Sequence, residues 1–208
     1  MKSAYYKSVE FFIIYILFPI GLILPLPVWL KIGYCTFGFA YILYILLKVE
    51  NIRLNFSKKV LWPVFWKETM LKFVAISIIT GSYVYLTQRE MLFHVVISKP
   101  KLWSIILIVY SLFSVYPQEL IFRTFYFKRY KDLIQNDNLC LFLNGIVFSL
   151  AHLIFNNALV SVITFFGGLI FARTYQKSES TIMVSIEHAI YGCWLFTVGM
   201  GGMLGFPV

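Results

Sequence analysis

Apolar runs at roughly 9–25, 29–48, 70–87, 102–127, 139–155, 158–173 and 180–198 divide this chain, each near the length a helix needs to cross a bilayer. The chain has 208 residues, of which 60% are hydrophobic and 13% charged. A soluble domain of that size cannot bury so much apolar surface, whereas a helical bundle in lipid leaves its outside apolar. The expected fold is all-α: a polytopic transmembrane helical bundle of seven spans, with eight as the alternative count. One membrane domain is expected over 1–208, with spans and an interfacial segment over 1–99 and a motif-bearing core over 100–200.

Pro25 and Pro27 mark the first turn, and Asn156-Asn157 marks the turn between the fifth and sixth spans. Residues 51–68, NIRLNFSKKVLWPVFWKE, mix basic and aromatic side chains, the composition of a segment lying on a membrane. Lys2 and Lys7 precede an apolar run that imitates a secretory signal, but the run is long and lacks an A-x-A-like cleavage site. A retained first span is expected.

The net charge of +9 is carried between the apolar runs. With the N-terminus in the cytoplasm, thirteen basic residues fall on inner segments, among them Lys48, Lys67, Lys72, Lys128, Arg129 and Lys131. Four, Lys31, Arg89, Lys99 and Lys101, fall on outer segments. That bias is the one expected of an N-in, C-out protein of a bacterial inner membrane. Basic residues so placed meet lipid headgroups, and no nucleic-acid partner is expected. Cys35, Cys140 and Cys193 are odd in number and widely spaced, so neither a disulfide framework nor a cysteine zinc site follows.

Residues 116–130, YPQELIFRTFYFKRY, put polar groups into an apolar run. An ionisable side chain at mid-membrane costs about 2.5–3.5 kcal/mol, so such groups face the bundle interior and find partners. Glu119 and Arg123 are four apart and share a helix face. His152 follows Phe148 by four, with Asn156 one turn further on. Glu187 and His188 are adjacent and point about 100° apart, so only one can face a given point. At about 1.5 Å per residue from the inner helix ends, Glu119 lies about 13 Å deep, His188 about 12 Å and His152 about 20 Å. Three antiparallel spans therefore bring a carboxylate and two imidazoles to comparable depth. Gly167-Gly168 suits close helix packing.

Three pieces together resemble the CAAX protease and bacteriocin-processing (Abi-type) intramembrane endopeptidase family: Gln118-Glu119-Leu-Ile-Phe-Arg123, Phe148-Ser-Leu-Ala-His152 and His188-Ala-Ile-Tyr-Gly192. The family pattern is Glu-Glu-x-x-x-Arg, Phe-x-x-x-His and His-x-x-x-Asn/Asp on separate helices. The resemblance covers about residues 100–200. It implies hydrolysis of a peptide bond within the membrane, with a glutamate and the second-motif histidine activating water and the third motif stabilising the oxyanion. Donors preset toward a developing oxyanion are worth several kcal/mol in a low-dielectric site.

This chain departs from the pattern twice. Gln118 stands where the family has the glutamate credited as general base, and Gly192 stands where it has the oxyanion Asn. The resemblance then implies Glu119 as base, with Gln118 orienting water and His152 assisting. His188, with Asn156 or Tyr191, serves the oxyanion, and Arg123, Phe148 and Glu187 support the site. The expected partners are membrane lipid and a membrane-associated or lipidated protein or peptide.

Glu119, His152 and His188 would also suit zinc as a two-His, one-carboxylate set. The expected mechanism uses no metal and no other cofactor. The alternatives are an inactive relative acting as a binding or immunity protein, a small transporter, and a haem protein ligated by His152 and His188. No inverted repeat supports the transporter.

Overall fold

The structure, a computed structural model, describes residues 3–52 and 62–206. Seven helices among them are long and apolar enough to cross a membrane: α1 (Ala4–Ile23), α2 (Val28–Val49), α3 (Trp62–Thr87), α4 (Pro100–Tyr130), α5 (Asp137–Phe155), α6 (Ala158–Ser178) and α7 (Thr181–Val198). The architecture is an all-α polytopic bundle, and each expected span coincides with one of these helices. Of the segment read as lying on the membrane, residues 53–61 fall outside the described residues. Residues 62–68 instead form the first two turns of α3.

Caps written into the sequence set the helix ends. Asn136 accepts the Leu139 N–H at the start of α5, and Ser180 accepts the Met183 N–H at the start of α7. Asn156 takes the left-handed conformation (φ 47°), and Asn157 then accepts the N–H groups of Leu159 and Val160 to open α6. Each cap satisfies backbone groups that lipid cannot. Pro27 ends the first turn immediately before α2.

Two helices widen just before a proline, at 13–17 ahead of Pro19 and at 110–115 ahead of Pro117. The proline ring lacks an N–H and presses on the carbonyl four residues back, so the preceding turn opens. In α4 a second wide turn follows at 120–125.

The most buried span is α7, with 50% of its most apolar stretch inside the protein against 33% or less elsewhere. It packs against α3, α4 and α6, while α4 also touches α1, α2, α5 and α6. α5 and α6 pack closely because a Cβ on Gly168 would lie only 2.9 Å from the Gly145 Cα. Of the pair Gly167-Gly168, it is Gly168 that permits the approach. Arg129, read from sequence as part of a basic membrane-facing cluster, is fully buried and bonds Glu10 of α1 and Glu50 beyond α2 at 2.7 Å each. It ties the first two spans to the C-terminal end of α4.

Candidate active site

Arg123 and Glu119 lie on adjacent turns of α4, both with no exposed surface, and their Nε–Oε2 distance is 3.1 Å. Two buried charges persist only with further partners. Arg123 finds them in Asn144 of α5, which accepts from Nη1 at 3.0 Å and donates to the Phe122 carbonyl at 2.7 Å. The guanidinium also sits 4.6 Å over the Phe148 ring and 5.6 Å over Phe171. Such cation–π contacts gain strength away from water. Asn144 was missed by the sequence reading. Its signal was an amide in an apolar run, four residues before Phe148.

Glu119 spends its other oxygen on α7, where Oε1 lies 2.7 Å from His188 Nδ1. The opposite ring nitrogen, Nε2, lies 3.0 Å from the Tyr110 hydroxyl of α4. The His188 ring stacks on Phe171 at 4.4 Å and 22°. Glu187 turns the other way, to Lys72 of α3 and to the Tyr191 hydroxyl at 2.9 Å. That hydroxyl is also 3.1 Å from the Thr69 carbonyl. The two adjacent residues thus serve different neighbours, as their angular separation requires.

Phe148 joins the motifs. Its ring centroid is 4.7 Å from the His152 ring and 5.7 Å from the His188 ring. His152 lies just past the regular part of α5 and is half-buried, with Nδ1 2.7 Å from the Phe148 carbonyl. A carbonyl only accepts, so Nδ1 carries the hydrogen and the neutral ring keeps its lone pair on Nε2. Asn156 is exposed in the turn before α6 and stands apart from this group.

These groups border an apolar cavity of about 1150 Å³ between the first two spans and the core. Tyr110, Ser114, Gln118, His152 and His188 are among its polar lining, with Gly192 beside Tyr110, and Ile14, Phe39, Ile76 and Phe155 are among its apolar lining. Glu119 and Arg123 lie behind that lining. Of the pair Gln118-Glu119, the amide faces the cavity and the carboxylate faces the protein. Gln118 donates to Ser114 Oγ at 2.8 Å, and its own Oε1 is buried with no partner among the described residues. A Cβ built on Gly192 would collide with the Tyr110 hydroxyl, so that hydroxyl occupies the start of the space a side chain at 192 would fill.

Both ring nitrogens of His188 are engaged, Nδ1 with Glu119 and Nε2 with the Tyr110 hydroxyl. No group of three or more His, Cys, Asp or Glu side chains among the described residues is placed to hold a metal ion. The donor set Glu119, His152 and His188 is not arranged around a zinc ion as it stands, because Glu119 turns its oxygens to His188 and Arg123.

Residues 100–194 match the family model described as Rce1-like, type II CAAX prenyl endopeptidase. No curated protein and no solved structure matches the chain. The Rce1-like match covers α4, α5, α6 and most of α7, and so holds Glu119, His152 and His188 together with Tyr110, Asn144 and Gly192. The first three spans lie outside it, although α1, α2 and α3 supply part of the cavity wall.

Proposed function

We propose that this chain is an intramembrane peptidase, cutting a peptide bond of a lipidated or membrane-embedded polypeptide, with His152 as the base that activates water. The supporting observation is His152 itself. Its Nδ1 is committed to the Phe148 carbonyl at 2.7 Å, so the other ring nitrogen is a free base at the wall of an apolar cavity. In the proposed step Nε2 takes a proton from water as the oxygen bonds the carbonyl carbon. The resulting tetrahedral carbon then expels the amine, which recovers that proton from His152. Gln118 orients the water. Glu119 acts through His188, whose ring it holds, rather than on water directly. The apolar cavity suits a lipid chain or a hydrophobic helix, in keeping with a family named for prenylated substrates. The charge bias supports an N-terminus in the cytoplasm.

The test compares peptide termini across the proteome of cells carrying the wild type or His152→Ala at matched membrane levels. New termini present only with the wild type are expected, and their sequences name the substrate. A second reading, a binding or immunity protein without hydrolysis, is favoured by Gln118, because an amide cannot take a proton from water. Among the described lining residues the carboxylate is Glu10, held by Arg129, Tyr41 and Tyr130. Identical termini in both cultures would favour that reading.

A further inference from the structure

We infer that the Tyr110 hydroxyl donates the hydrogen bond that stabilises the oxyanion, from a helix that the third motif does not include. The inference rests on the hydrolytic reading above and adds a catalytic residue to it. Three observations carry it. Tyr110 lies on the cavity wall with His152 and His188. Its hydroxyl is 3.0 Å from His188 Nε2. The same hydroxyl fills the space beside Gly192, so a glycine there is a steric requirement of Tyr110 as well as a missing side chain.

The position is held from both sides. The Tyr110 ring packs edge-on against Phe196 at 4.7 Å and 80°, and His188 is fixed from behind by Glu119 at 2.7 Å. Glu119 accepts the Nδ1 proton, so the neutral ring presents its Nε2 lone pair and Tyr110 donates to it. When His188 is instead the imidazolium partner of Glu119, having taken its second proton from bulk water before the substrate binds, Nε2–H donates to the phenol oxygen and the phenol hydrogen is free to turn into the cavity; it is this form that the proposal uses. The tetrahedral intermediate holds its negative charge on the former carbonyl oxygen. Tyr110 bonds that oxygen without giving up its proton. The charge returns to the C=O bond as the C–N bond breaks and the amine takes the proton that His152 drew from water. With His188 protonated beforehand, only the phenol hydrogen has to turn, and no heavy atom of the donor moves as the charge develops.

The experiment uses the full-length protein in membranes and the substrate peptide named by the wild-type termini. Variants are Tyr110→Phe, Tyr110→Ala, Gly192→Asn and the double Tyr110→Ala/Gly192→Asn, with membrane level and melting followed for each. Tyr110→Phe is expected to lower kcat by about 10²–10³ with KM little changed, as for loss of one oxyanion donor. Gly192→Asn alone is expected to fail through the clash. The double variant is expected to recover at least tenfold over Tyr110→Ala, because an amide at 192 can then enter the vacated space. A merely structural tyrosine would change melting and not kcat, and would not be rescued by a donor at 192. Tyr110→Phe within twofold of wild-type kcat would overturn the inference and leave the peptidase reading intact. If Tyr110→Phe does not fold, a double variant no better than Tyr110→Ala overturns it instead. Absence of wild-type termini would overturn both.

Discussion

Glu119 and His188 are 69 residues apart in the chain and 2.7 Å apart in the protein. The contact ties α4 to α7 at the depth of the cavity and fixes which ring nitrogen of His188 faces it. It also uses one oxygen of a carboxylate whose other oxygen already faces Arg123. Glu119 therefore lies behind the cavity wall, where His152, His188, Tyr110 and Gln118 are among the polar groups.

Removing Glu119 should damage the fold as well as activity. Glu119→Ala leaves Arg123 buried without its counter-charge, and breaking a buried pair costs about 3–5 kcal/mol. Adding Arg123→Met should recover part of the melting loss without recovering peptide cleavage. Thermal melts of the single and double variants in one detergent check this. An unchanged melt for Glu119→Ala would mean that the buried contacts of Glu119 with Arg123 and His188 contribute little to stability.

His152→Ala should separate chemistry from stability. Its side-chain hydrogen bond runs to the carbonyl of its own helix at 2.7 Å, and the ring is half-buried. Cleavage should fall by at least 10², the order expected for loss of a general base, while melting changes by only a few degrees. Turnover and melting measured on the same preparation decide it.

Gln118→Glu places a carboxylate on the cavity wall beside Ser114. With His152 as base, the wild type is active and this variant is no better. Cleavage seen only in Gln118→Glu would show that the natural chain has lost its base and would favour the binding reading. The same termini comparison, run with the third strain, reads either outcome.

Gly168→Ala should loosen the α5–α6 pair that carries Phe148 and His152. The added methyl would meet Gly145 Cα at 2.9 Å and Phe148 Cβ at 3.2 Å, and backbone cannot give way as a flexible side chain does. A loss of about 1–3 kcal/mol is expected from such overpacking. Gly167→Ala, whose nearest neighbour would be the Phe171 ring at 3.4 Å, should be much milder. Melting of the two variants side by side tests the contrast.

The helices of this chain and the local pairs along them were legible in the residues. Length and apolarity specify seven spans because a single apolar segment in lipid satisfies its own backbone hydrogen bonds only as a helix. The Glu119–Arg123 pair and the His152–Phe148 bond follow from a spacing of four, since helix periodicity stacks such residues on one face. The Asn156-Asn157 turn follows from the capping chemistry of Asn. The sequence could also say that Gln118 and Glu119 face different ways, and likewise Glu187 and His188.

Which of each pair faces the cavity was decided only by tertiary structure. Helix rotation depends on the crossing of α4 with α7 and on the wide turns at 110–115 and 120–125, and neither is a property of residue spacing. The same crossing brings Tyr110 to His188 and into the space beside Gly192, a long-range steric match with no local signature. It also turns Arg129 inward, because Glu10 and Glu50 come from spans that sequence periodicity places on no particular side of α4. Local periodicity determined which residues travel together on a helix; packing between helices decided what they meet.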